Sequence, residues 1–385
     1  MPLIGGEDTF ALLAVLTGIV VFSIWAETTK LGRVLSAILV VIVLAMLLSN
    51  TGVIPYEADL YKTISSNVVA IAIPMLLFRA DLRRVIRDSG PTLIAFFIAV
   101  FATLVAVFAA NWLVTIPEDE PKIVSMLAAM FVGGTVNFVA TSEAVQLNNP
   151  SLYVATWTAD IAGTIIFIAV LAMLPAVGML RALLPSKYIA ADGSAAELGD
   201  SEAAQAVEDE ASKPFDLFGL ALGLAVSLAI CAVSKWISTA LGMSNMFMLI
   251  ITVIALLVAN FAKPLVARIH HDFEVGTFFM YLFFAALGTG AKFFEILGPA
   301  LPIFIFILVL MFVHIALLLF IGKLLKRDLA ELLIASNACI LGPATAAALA
   351  ASRGWRPLVV PGVLIGIFSY SLGTFVGVGV YNFLT

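Results

Sequence analysis

Charge is scarce in this chain. Asp, Glu, Lys and Arg together make up 12% of its 385 residues, about half of what a soluble domain of this size carries. A fully solvated globular surface is thereby excluded. Cysteine is nearly absent. Cys231 and Cys339 both lie inside apolar runs, too few for a disulfide framework and without metal-ligand spacing. No basic run offers partners to a nucleic acid, and a net charge of −5 selects no partner. The first residues, Met1 to Glu7, lack the basic region of a cleaved signal, so the first apolar run reads as a retained helix. H-E-x-x-H, G-x-S-x-G and a nucleotide-binding loop are missing as well. An intramembrane enzyme or a membrane sensor is therefore the minor alternative, and neither catalytic residues nor cofactors are expected.

What is present is apolar sequence in long blocks. Hydrophobic residues make up 62% of the chain, and its mean hydropathy is +1.13. About 20 apolar residues span the hydrocarbon of a bilayer as a helix, and backbone in lipid must satisfy its own hydrogen bonds. The sequence therefore predicts an all-α polytopic membrane protein. Apolar segments fall at 9–26, 33–49, 62–78, 91–116, 122–147, 151–180, 217–239, 245–261, 274–290, 299–323, 328–352 and 358–384. Between the sixth and seventh lies an acidic stretch rich in Ala and Ser. It divides the chain into an N-terminal repeat (1–184), a linker (185–216) and a C-terminal repeat (217–385).

The halves resemble each other. A shift of 208 positions lays Asp8 on Asp216, Phe10 on Phe218, Gly90-Pro91 on Gly298-Pro299 and Gly134 on Gly342. Near the end a shift of 210 lays Gly163-Thr164 on Gly373-Thr374. Loop charges predict that the repeats are inverted. The loop with Arg79, Arg83, Arg84 and Arg87 is basic, while its counterpart has only Lys292. The loop with Glu118, Asp119 and Glu120 is acidic, while its counterpart has Lys323, Lys326 and Arg327. Inversion needs an odd number of crossings per half, yet six segments are counted. Either one block does not span or an extra crossing lies within 175–216. Summed over all loops, Lys and Arg divide evenly between the faces, so the expectation rests on those two loop pairs.

The fifth and eleventh segments are interrupted. The fifth carries Gly133-Gly134-Thr135-Val136-Asn137 at its middle, and the eleventh carries Gly342-Pro343 flanked by Ser336, Asn337 and Thr345. Paired glycines and an internal proline both weaken a helix. Two such breaks at matching positions are the best sequence pointer to a transporter binding site. A break at mid-membrane presents N–H groups from one half-helix and carbonyls from the other. The bland alternative is a pair of kinks used for close packing of small residues. Asp160 adds a carboxylate inside an apolar helix, where charge is costly and usually faces a cavity, an ion or a proton path. Glu143, near the end of the fifth segment, either joins that site or faces water. His314 has no second ligand at helical spacing and reads as packed and hydrogen-bonded. Thr135, Asn137, Glu143, Asp160, Ser336, Asn337 and Thr345 are thus the candidate ion and solute ligands. Gly133, Gly134, Gly342 and Pro343 are the candidate helix breaks.

The strings PMLLFRADLRRV, VGGTVNFVATSEA and ASNACILGPATAAALAASRGW, followed by LVVPGVLIG, resemble a family of bacterial and plastid integral-membrane proteins. That family is grouped with the cation/proton antiporter and anion transporter superfamily, alongside sodium/proton antiporters, bile-acid sodium symporters and auxin carriers. The resemblance implies a scaffold or dimerisation domain from the first helices of each half. It also implies a core domain in which two discontinuous helices cross. Asp160 matches the placement of the antiporters' ion-binding aspartate. Ala159 departs from the Asn or Asp that usually precedes it, which leaves room for symport of an organic carboxylate. The expected function is Na⁺- or H⁺-coupled secondary transport of a small solute by alternating access, with cation/proton antiport as the alternative. The expected setting is the bacterial inner membrane, as a monomer or homodimer.

Overall fold

The computed structural model describes residues 2–29, 37–189, 216–242 and 246–385. The predicted linker lies almost wholly outside them. The described chain is helical throughout. In the first half these helices are α1 (Thr9–Glu27), α2 (Ala37–Asn50), α3 (Asp59–Leu77), α4 (Leu82–Asp88), α5 (Gly90–Leu113), α6 (Glu120–Ala144) and α7 (Pro150–Met173). In the second they are α8 (Leu217–Ala240), α9 (Phe247–Phe261), α10 (Asp272–Gly290), α11 (Phe293–Leu324), α12 (Leu329–Ile340), α13 (Pro343–Ser352), α14 (Val359–Tyr370) and α15 (Gly373–Leu384). Short polar residues start several of them by satisfying free amide groups. Asp8 accepts from Ala11 N at 3.1 Å, and its repeat equivalent Asp216 accepts from Phe218 N at 3.0 Å. Asn149 and Asp328 cap α7 and α12 in the same way.

Two segments do not cross. Helix α6 would be over 35 Å long if straight, at about 1.5 Å per residue. Instead, Lys122 near its start donates to the Gln146 carbonyl just past its end, at 3.2 Å. Ala129 and Thr141 both face the same residue, Gly377. The segment is a re-entrant hairpin whose tip is Gly133-Gly134. Helices α12 and α13 form the second hairpin. Gly362 of α14 packs against Ile334 on one arm and Ala346 on the other, and Gly366 packs on Pro343 at the tip.

Helices α1, α3, α5, α7, α8, α10 and α11 are long and apolar enough to span a bilayer, α2 and α9 are shorter apolar helices, and the pair α14–α15 turns by 44°. Counting α2, α9 and the bent pair as crossings gives each half an odd number, as inverted repeats require, with the hairpins entering from opposite faces. The sequence counted the hairpin blocks as spans, because apolar length alone cannot tell a hairpin from a crossing. Both ends of the linker lie at one face, where Ser186 bonds Asp328 and His270 meets Asp216. No extra crossing is required there.

The even division of charge is corrected with it. Among the described residues only Lys62, Lys122, Lys235 and Lys292 lie toward the face from which α6 enters; every other described Lys and Arg lies toward the opposite, basic face. The predicted pairing of the Arg79–Arg87 loop with the Lys323–Arg327 loop on that basic face holds.

Helices α1, α2, α3, α8, α9 and α10 pack as one group, with matched contacts in the two repeats: α1 on α2 and α8 on α9, α2 on α10 and α9 on α3. Arg79 closes this group at the basic face with an ion pair to buried Asp272 at 3.1 Å. The remaining helices pack around the hairpins. Equivalent helices α5 and α11 lie against each other, and α15 lies along both arms of α6. The two groups meet where α6 touches α3 and α9, and where α7 touches α10.

Candidate functional site

The hairpin tips meet in the middle of the protein. Cys339 Sγ stands 3.3 Å from the Phe131 carbonyl, and these positions are 208 apart, so each is the repeat equivalent of the other. A residue that touches its own counterpart lies on the pseudo-two-fold axis. Each tip extends beyond this contact, so the discontinuous segments pass each other there. Gly134 has φ 69° and ψ −169°, and Gly342 has φ 97° and ψ −174°. That backbone region is essentially reserved for glycine. The repeat has therefore kept one strained geometry at two equivalent positions.

Both glycines face one ring. A methyl on Gly134 would stand 3.4 Å from Tyr370 Cε1, and one on Gly342 would stand 3.3 Å from the Tyr370 hydroxyl oxygen. Tyr370 ends α14 at a third break, before α15 resumes at Gly373. The sequence analysis took 358–384 as one segment and missed this. The available signal was the run Ser369-Tyr370-Ser371-Leu372-Gly373-Thr374 in the middle of an apolar block. At the 210 shift, Tyr370 is the repeat equivalent of Asp160.

Asn137 is buried and fully engaged. Its amide nitrogen donates to the Gly133 carbonyl at 2.6 Å, and its oxygen accepts from the Thr374 amide at 2.8 Å and the Thr374 hydroxyl at 2.6 Å. It closes the first tip and ties it to the third break. Thr345, its repeat equivalent, donates to the Gly342 carbonyl at 3.0 Å. Ser336 donates to His314, which the sequence read as a packed, hydrogen-bonded histidine without naming its partners. His314 is fully buried; Nε2 lies 2.8 Å from Ser336 Oγ and Nδ1 lies 3.0 Å from Thr103 Oγ1. Thr103 itself donates to Ala99 O at 2.9 Å. Its hydroxyl therefore accepts from Nδ1–H, and Nε2 accepts from Ser336. The chain links α5, α11 and the second hairpin.

Several polar atoms at the centre have no partner. Asn337 Oδ1, Thr141 Oγ1 and Ser371 Oγ are buried and make no hydrogen bond. Asp160 is 5% exposed and forms neither hydrogen bond nor ion pair; no bond joins it to Thr135 or Asn137. It shares one face of α7 with Tyr153 and Trp157, at i, i+4 and i+7. Glu143, half-buried on the return arm of α6, has no ion-pair partner. No cluster of three His, Cys, Asp or Glu exists among the described residues. What the crossing offers is carbonyls, amides, hydroxyls and lone carboxylates, a set suited to a monovalent cation, a proton or a polar solute.

A family model described as "Protein of unknown function (DUF819)" matches residues 11–385. The chain is also 30% identical over 400 residues to "Uncharacterized membrane protein YjcL" of Bacillus subtilis (strain 168), covering 100% of this chain and 98% of that relative.

Proposed function

This chain belongs to the DUF819 family of membrane proteins, and on that premise we propose that it is a secondary active transporter coupling a small solute to a Na⁺ or H⁺ gradient. One observation carries the reading: two re-entrant hairpins enter from opposite faces and break at equivalent glycines on either side of Tyr370. Non-helical backbone at membrane depth is tolerated where it is buried in protein or lines a cavity. A site bounded by one hairpin from each side can be opened to either side by moving the hairpin group past the scaffold group. Asp160 is the coupling residue. An unpaired carboxylate in an apolar helix costs about 2.5–3.5 kcal/mol on insertion scales, and a cation or proton would offset that. Simple cation/proton exchange is the second reading, favoured by the lack of any partner for Asp160. In a cytoplasmic (inner) membrane, the basic face would lie inward.

Purified chain in liposomes tests this. Na⁺ or pH gradients should drive uptake of a solute from a broad panel, with internal pH followed by a dye. Asp160→Asn should insert and fold but lose gradient-coupled flux. Proton–Na⁺ exchange without any solute would favour the second reading. Wild-type coupled flux in Asp160→Asn would make Asp160 structural, and no gradient-dependent flux of either kind would reject the transporter reading.

A further inference from the structure

The face of α7 that carries Asp160 is aromatic at Tyr153 and Trp157. Phe138, on the return arm of α6, meets Tyr153 and Trp157 of α7 edge-on, at centroid distances of 4.9 and 5.3 Å. These rings in turn meet Phe283 at 6.0 Å and Phe284 at 4.7 Å, both on α10. The cluster lies where the hairpin group touches the scaffold group. The Trp157 indole N–H makes no hydrogen bond although the residue is only 3% exposed, and the Tyr153 hydroxyl, on a residue 1% exposed, has no close hydrogen-bond partner beyond the neighbouring Ser142. Orphaned buried polar groups are uncommon and costly in native proteins. The Tyr153 hydroxyl lies against Ser142 and within electrostatic reach of Glu143. Lys122, at the mouth of the same hairpin, is taken by Asp119 at 3.1 Å and the Gln146 carbonyl at 3.2 Å. Glu143 and Asp160 thus have no ion-pair partner, one near Tyr153 and the other two turns further along α7.

We infer that Glu143, Tyr153 and Trp157 bind the transported solute, and that this solute is a small amine carrying an oxygen acceptor. The inference deepens the transporter reading and rests on it for the word transported; the binding itself does not depend on flux. A protonated amine supplies the countercharge that Glu143 lacks, while Asp160 takes the coupling ion. It also binds aromatic faces, where desolvated cation–π contacts are strongest. The Tyr153 oxygen accepts from ammonium N–H. The Trp157 indole can only donate, so it calls for an oxygen on the solute. A solute bearing only carboxylates would meet like charge at Glu143 and at Asp160, and Lys122 at the hairpin mouth is already paired with Asp119. This turns the substrate class away from the organic acid suggested by the sequence.

The full chain, purified in detergent micelles, is titrated with ethanolamine, 3-aminopropanol and putrescine against succinate. Intrinsic tryptophan fluorescence and thermal stability are read together. At least one oxygen-bearing amine should quench saturably and raise the melting temperature, and putrescine, which lacks oxygen, should bind more weakly. Glu143→Gln sits near a hairpin mouth and leaves the shape intact. It should weaken amine binding roughly tenfold, the loss of one charged hydrogen bond. Tyr153→Phe should weaken it less, and Trp157→Phe should remove most of the quenching. Tighter binding of succinate than of the amines, unchanged affinity in Glu143→Gln, or binding of none of the amines overturns the assignment. Amine binding without flux in liposomes would keep the site and reject transport.

Discussion

The two hairpins share a backbone and differ in how they are held. Gly134 and Gly342 have the same extended, positive-φ geometry and the same aromatic neighbour. Yet the first hairpin is buried along both arms and is tied by Asn137 to Thr374 on the bent α14–α15 pair. The second exposes Ala344, Ala348 and Ala351 on its return arm. It is anchored through its entry arm instead, by Ser336, His314 and Thr103. Backbone geometry is repeated because crossing at mid-membrane demands it. Side-chain bracing is not repeated, because each hairpin meets a different neighbour.

Variants can break or sharpen this comparison. The largest expected effect is at Asn137. Asn137→Ala leaves the Thr374 amide and the Gly133 carbonyl without partners, each worth about 1–3 kcal/mol when buried. Unfolding in mixed micelles should show a loss of about 2–4 kcal/mol, whereas Thr345→Ala should lose at most about 1 kcal/mol. Equal losses would mean that the hairpins are braced alike.

Next come the glycines. Gly134→Ala and Gly342→Ala should each cost about 1–3 kcal/mol, the strain of that backbone region, by the same unfolding measurement. Because both methyls would touch Tyr370, the one on Gly342 tightly, the double variant should depart from additivity by more than about 0.5 kcal/mol. Strict additivity would show that the two tips do not share the ring. A smaller effect is expected at the second anchor. Ser336→Ala orphans a buried His314 nitrogen and should cost about 1–2 kcal/mol, with no change in the unfolding of an Asn137→Ala background beyond simple addition.

The smallest effects belong to the faces. Burial opposes ionisation of Asp81, but hydrogen bonds from Lys263 and from the Arg84 and Arg83 amides outweigh it and hold the carboxyl below its ordinary value. A depressed acid contributes stability above the ordinary carboxylate range, and that stability is lost as pH falls through the lowered value. Melting followed from pH 7 to pH 3 should therefore show a shallow loss that begins below roughly pH 4. Lys263→Met should flatten it, with a neutral-pH change within about 1 kcal/mol because the pair is solvent-screened.

Much of this architecture was legible without coordinates. Low charge and long apolar blocks determined a helical membrane protein, since unpaired backbone is not tolerated in lipid. Repeated spacing of Asp8 and Asp216, and of Gly134 and Gly342, determined two related halves. The arginines at 79–87 and the lysines near 323 determined that the halves are inverted. Side-chain chemistry also singled out Asn137, Ser336 and Asp160. Only the tertiary structure decided that the fifth and eleventh blocks turn back instead of crossing. A hairpin and a span have the same composition, and they are told apart only by contacts such as Lys122 with Gln146. It alone decided that Asn137 is spent on Thr374, that Tyr370 lies between the two tips, and that His314 joins Thr103 to Ser336. Each of these pairs residues 22 or more positions apart, and hydropathy and helical period carry no information at that range.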